Sequence, residues 1–117
     1  MQYLLMIYSD EKADARMSES ERGKMHADYG TFTREIIASG HNKGGNALQP
    51  TSTATTVRVR DGKTLSTHGP FAETREQLGG YYLVEAKDLD EATRLAARIP
   101  GARDGSIEIR PIMNVNM

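Results

Sequence analysis

The sequence predicts an α+β sandwich, one antiparallel sheet with its helices on a single face. Three observations predict it. Two stretches of helical periodicity each lie between short runs patterned like strands, so the strand–helix–strand order occurs twice. An Asp61-Gly62 pair, the strongest two-residue turn signal in the chain, places an extra β-hairpin between the two halves. The 117 residues leave room for one hydrophobic core, so residues 1–117 read as a single domain.

The first strand is Gln2 to Ser9. Tyr3, Leu5 and Ile7 face one side of the sheet and Leu4, Met6 and Tyr8 the other, so both faces need cover. Asp10 to Ala15 is polar and reads as a loop. Ser18 followed by Glu21 is a capping box that starts a helix over Glu19 to Ser39. Met25, Tyr29, Phe32 and Ile36 form its apolar stripe, and Gly40 sits where a left-handed glycine ends such a helix. Gly30 inside it costs about 1 kcal/mol relative to Ala.

His41 to Gly45 reads as a loop and Asn46 to Gln49 as a short strand stopped by Pro50. Ala54 to Arg60 alternates Thr55, Val57 and Val59 with Thr56, Arg58 and Arg60, and Lys63 to Thr67 returns after the Asp61-Gly62 turn. His68 to Gly80 is then a long loop, of the kind that often carries function, with Phe71 expected to anchor it in the core. Tyr81 to Ala86 is a second strand apolar on both sides. Asp88 with Glu91 repeats the capping signal, and Leu89, Ala92, Leu95, Ala96 and Ile99 form the stripe of a second helix closed by Pro100 and Gly101. Ile107, Ile109 and Ile112 mark a last strand from about Gly105 to Met113.

This order is that of a ferredoxin-like βαββαβ sandwich with an added β-hairpin. Helices cover only one face of such a sheet, so a second copy is expected on the other, giving a homodimer. The alternative is a hairpin folded back over the open face within one chain.

Fifteen basic against sixteen acidic residues give a net charge of −1, which argues against nucleic-acid and membrane-surface partners. Cysteine is absent, which removes disulfides, thiol nucleophiles, Cys-ligated zinc and Fe–S clusters. The apolar run Tyr3–Tyr8 is too short to span a bilayer and has neither the basic start nor the cleavage site of a signal peptide, so the cytoplasm is the expected compartment. The three histidines lack zinc-site spacing, and no phosphate-binding glycine motif or nucleophile elbow occurs. No cofactor is expected.

The polar loop and the helix beside it hold the candidate chemistry. His68 suits a general acid/base, or equally a hydrogen bond that holds the Gly69-Pro70 turn. Glu73 is placed to orient His68, and Arg75 to bind a carboxylate or phenolate; the same charges also read as a set that pins the loop. His26 and Tyr29 lie one turn apart on the helix, in a stripe with Thr33 and Ile37. They read as base and hydroxyl donor of a cleft, or as an exposed histidine and a core tyrosine with its hydroxyl at the rim.

His68-Gly69-Pro70-Phe71-Ala72-Glu73-Thr74-Arg75-Glu76-Gln77-Leu78-Gly79-Gly80-Tyr81-Tyr82 resembles the signature of the DGPF branch of the YCII-related proteins. Leu48-Gln49-Pro50, Thr53–Arg58, Tyr29–Phe32 and Asp88–Ala92 fit the same pattern, so the resemblance covers nearly the whole chain. His68 replaces the usual Asp of the DGPF motif, and Tyr29 takes the place of the helix histidine of the YCII branch. The resemblance implies a dimeric α+β barrel, lyase-type chemistry among relatives, and a link of DGPF members to sigma-factor regulation.

Two functions follow as expectations. The first is a cofactor-independent lyase or isomerase acting on a small oxygenated anion. Its cleft lies between the first helix, the sheet and the His68–Gly80 loop; His68 and Glu73 are catalytic, and Arg75, Tyr29 and His26 bind substrate. The second is a non-catalytic dimeric module that binds an effector or a protein partner.

Overall fold

A computed structural model describes residues 1–115. In chain order the elements are β1 (Gln2–Ser9), α1 (Glu11–Asp14), α2 (Glu19–Ala38), β2 (Asn42–Ala47), β3 (Thr55–Arg60), β4 (Lys63–His68), β5 (Gln77–Glu85), α3 (Leu89–Ala97) and β6 (Ser106–Pro111). Short 3₁₀ turns occupy Thr51–Thr53 and Pro100–Arg103. The main sheet has the order β2-β5-β1-β6 with every pairing antiparallel, which is the ferredoxin-like arrangement. β3 and β4 form a separate two-stranded arm.

Both predicted helix starts form as their sequences dictate. Ser18 accepts from the Glu21 N–H while the Glu21 carboxylate accepts from the Ser18 N–H, and Asp88 accepts from the Glu91 N–H. Gly40 stops α2 with φ of 81°, and Asp61 and Gly62 turn the arm with φ of 51° and 73°. Tyr3 and Leu5 from β1, Val84 from β5, Phe32 and Ile36 from α2, and Leu95 from α3 meet in one core on the helix side. The other face of β1 and β5 carries Leu4, Met6, Leu78 and Leu83, all partly exposed.

Four expectations need correction. Asp10–Ala15 is not all loop: Asp10 caps the single turn α1 by accepting from the Lys12 N–H. β2 begins at Asn42 and includes the glycines expected in a loop, because pairing with β5 needs backbone and not side chains. β5 begins at Gln77, which shortens the loop after β4. Phe71 is 80% exposed and plugs nothing, because the loop around it, Pro70 and Ala72 to Arg75, is exposed as well.

Candidate functional site

The sheet surface beneath the first half of α2 is built of small residues. Ala47 and Gly80 lie beside Ile7 on the helix-facing side, and Gly45 lies beside Tyr82. A Cβ on Gly45 would come 2.7 Å from the Tyr81 carbonyl oxygen, and one on Gly80 would come 3.0 Å from that of Asn46, so close strand pairing also excludes side chains there. Gly79 is the extra residue where the β1–β5 register slips, a bulge at the edge of the same surface. With only Gly45, Ala47 and Gly80 on this part of the floor, a hollow of about 540 Å³ remains between α2 and the sheet. That volume suits a small molecule.

Its walls are mostly apolar, from Ile7, Met17, Met25 and Tyr82; Ser9, Asn46 and Tyr81 add polar groups from the strands, and three more come from one stripe of α2. Arg22, His26 and Tyr29 follow at four and three residues, so they line the hollow together, Tyr29 half-buried and Arg22 and His26 exposed. Arg22 donates through Nη2 to the carbonyls of Asp14 and Met17 at 3.3 and 3.4 Å, which ties the chain between α1 and α2 to the helix. The guanidinium keeps further donors for an anion. Tyr29 is half-buried, and its hydroxyl accepts from the Gly101 N–H at 3.1 Å. Burial pushes its phenol above the ordinary value, so it holds its proton and serves as a donor. Tyr82 is fixed by a 2.7 Å hydrogen bond with Thr33 and by edge-to-face contact with Phe32 at 5.2 Å.

A second hollow, also about 540 Å³, lies at the root of the arm and is lined by Lys12, His68, Glu73 and Thr74 among others. Glu11 stiffens its wall: its carboxylate accepts from the Thr51 N–H at 2.9 Å and from the Thr51 hydroxyl at 2.6 Å. The Glu11 N–H donates in turn to the Gln77 side-chain oxygen at 2.9 Å.

The five residues singled out from sequence are therefore distributed over the molecule. His26 and Tyr29 share the first hollow, His68 and Glu73 share the second, and exposed Arg75 lines neither. Arg22 and Ser9 of the first hollow escaped the sequence reading. Arg22 was findable, because extending the His26–Tyr29–Thr33 stripe one turn toward the helix start reaches it. Ser9 had no signal at the end of an apolar strand.

An antiparallel sheet ordered β2-β5-β1-β6, with a ligand-sized hollow under the first long helix, defines an α+β protein of the ferredoxin-like class. The YCII-related domain matches residues 1–116, and the chain belongs to that family. A relative from Rhizobium meliloti, an uncharacterised protein, is 36% identical over 114 residues, covering 96% of this chain and 92% of its own. Among solved structures, 5-chloro-2-hydroxyhydroquinone dehydrochlorinase from Burkholderia phenoliruptrix, in complex with 2,5-dihydroxybenzoquinone, superposes with a TM-score of 0.58. That match covers 98% of this chain and 96% of the dehydrochlorinase at 12% identity, a likeness of fold. Among the described residues, no helix is long and apolar enough to cross a membrane.

Proposed function

We propose that the chain is a cofactor-independent lyase or isomerase that moves a proton on a small oxygenated aromatic anion, in the hollow under α2. One observation carries this reading: Arg22, His26 and Tyr29 converge on a cavity whose remaining wall is mostly apolar. A flat ring fits against Ile7, Met25 and Tyr82, with its charged oxygen toward Arg22. His26 takes the substrate proton, and Tyr29 donates to the oxygen on which charge develops. The neighbour that eliminates chloride from a hydroxyhydroquinone supports the substrate class.

A screen of hydroxyquinols and hydroxybenzoquinones, followed by their ring absorption, tests the reading. We expect one of them to be converted, with turnover falling about a hundredfold or more in His26→Ala. Equal turnover in that variant removes His26 from the reaction, and no binding of any such ring overturns the reading.

The separate position of His68 and Glu73 favours a second reading, in which a DGPF-type loop binds a regulatory effector at the arm's root without turning it over. A ligand whose affinity falls in His68→Ala and not in His26→Ala supports that reading. In either case we propose that two copies pair through their open sheet faces.

A further inference from the structure

We infer that Gly101 is a positioning residue for the hollow under α2: its backbone N–H holds the Tyr29 oxygen so that the phenol's single proton is left for a bound ligand. This rests on reading that hollow as a ligand site, and it adds a residue that lies outside the cavity wall and acts on it through Tyr29.

A phenol oxygen offers one proton and accepts at its lone pairs. In Tyr29 the accepting side is engaged by Gly101 at 3.1 Å. Among the described residues no protein group accepts the proton. A hydroxyl free to rotate would spread its proton over several directions, whereas one already accepting an N–H has fewer. Burial also keeps the phenol protonated, so the group remains a donor.

The glycine is required for space. Gly40, Gly44, Gly62 and Gly69 have positive φ and Gly101 does not, so its backbone is one that any residue can adopt. A Cβ there, however, would lie 2.5 Å from the Tyr29 hydroxyl oxygen and 3.1 Å from Cγ2 of Ile7. Any side chain must push the hydroxyl off the amide. The turn is also fixed from both sides: Pro100 before it is buried, and the Gly101 carbonyl accepts from the Gly105 N–H at 2.8 Å. The donor is therefore rigid relative to the sheet, which sets where the phenol points.

The test combines Gly101→Ala, Tyr29→Phe and the double variant, with 2,5-dihydroxybenzoquinone as probe and its visible absorption as readout. Each single change should weaken binding about tenfold. The double variant should bind no worse than Tyr29→Phe alone, because Gly101 acts only through the missing oxygen. A purely structural glycine would lower the melting temperature and leave the affinity alone. Wild-type affinity in Gly101→Ala, or losses that multiply in the double variant, overturns the inference.

Amide exchange at Gly101, measured without ligand, separates this from failure of the site reading. Slow exchange in the wild type that becomes fast in Tyr29→Phe supports the positioning contact even if no probe binds, in which case only the ligand class falls. Equal exchange in the two proteins overturns the contact. Should Gly101→Ala not fold, the double variant, lacking the oxygen that the methyl would strike, and the exchange comparison decide the matter.

Discussion

Tyr29 is held between burial, which disfavours its charged form, and the Gly101 amide, which favours it; burial is the larger effect and raises its ionisation above the ordinary 10.0. A raised acid makes the folded chain bind more protons than the unfolded one at alkaline pH. Its stabilising contribution is therefore whole below about pH 10 and is lost as pH rises through the folded value. Melting temperatures measured from pH 8 to 11 should fall less steeply in Tyr29→Phe than in the wild type; equal slopes would mean the phenol is not desolvated. Arg22 acts on the ligand's charge. Arg22→Gln should weaken an anionic ring about tenfold or more and leave a neutral analogue of the same shape unaffected, as titration calorimetry would show. At this scale, legibility followed helical spacing. His26 and Tyr29 stood out because a helix places residues three apart on one side. The partition of His68 from His26 could not be read, since it depends on where α1 and the arm's root come to rest.

Among the elements, α2 bears the polar groups of the first hollow, and its start depends on four atoms. The Ser18 hydroxyl accepts from the Glu21 N–H at 3.1 Å, and the Glu21 carboxylate accepts from the Ser18 N–H at 2.9 Å. Ser18→Ala should cost about 1 kcal/mol in chemical denaturation, and the frayed first turn should move Arg22 more than Tyr29. The Ser18 bonds also hold the Glu21 carboxyl below its usual range, so this cap weakens as pH falls through that lowered value. The capping box, Gly40 and the Asp61-Gly62 turn were legible because each is a local device, complete within a few residues. β2 was misread for the opposite reason: Gly44 and Gly45 have turn composition, and only β5, far along the chain, makes them a strand. The same pairing excludes side chains from the hollow's floor, so the clearest structural signal of the site was hidden in residues that resemble punctuation.

The whole molecule is a plate, 48 × 45 × 18 Å, with a Cα radius of gyration of 16.3 Å. A compact chain of this length would have about 13 Å. The excess comes with the arm: every residue of β4 is exposed, and Val57 and Val59 on β3 are each 60% exposed. A two-stranded hairpin is marginal in water, and this one shows apolar side chains to solvent. Behind the sheet, Leu4 lies opposite Leu83 and Met6 opposite Tyr81, on a face that neither long helix covers. A second copy packed across a two-fold axis through the open face, the pairing proposed above, would cover that face with a single closed interface. Light scattering coupled to size exclusion should therefore give twice the chain mass at micromolar concentration. Leu83→Lys places a charge at the centre of that face and should yield the single-chain mass with the helical circular dichroism retained, since the core on the opposite side is untouched. A wild type that runs as one chain at every concentration would overturn the pairing.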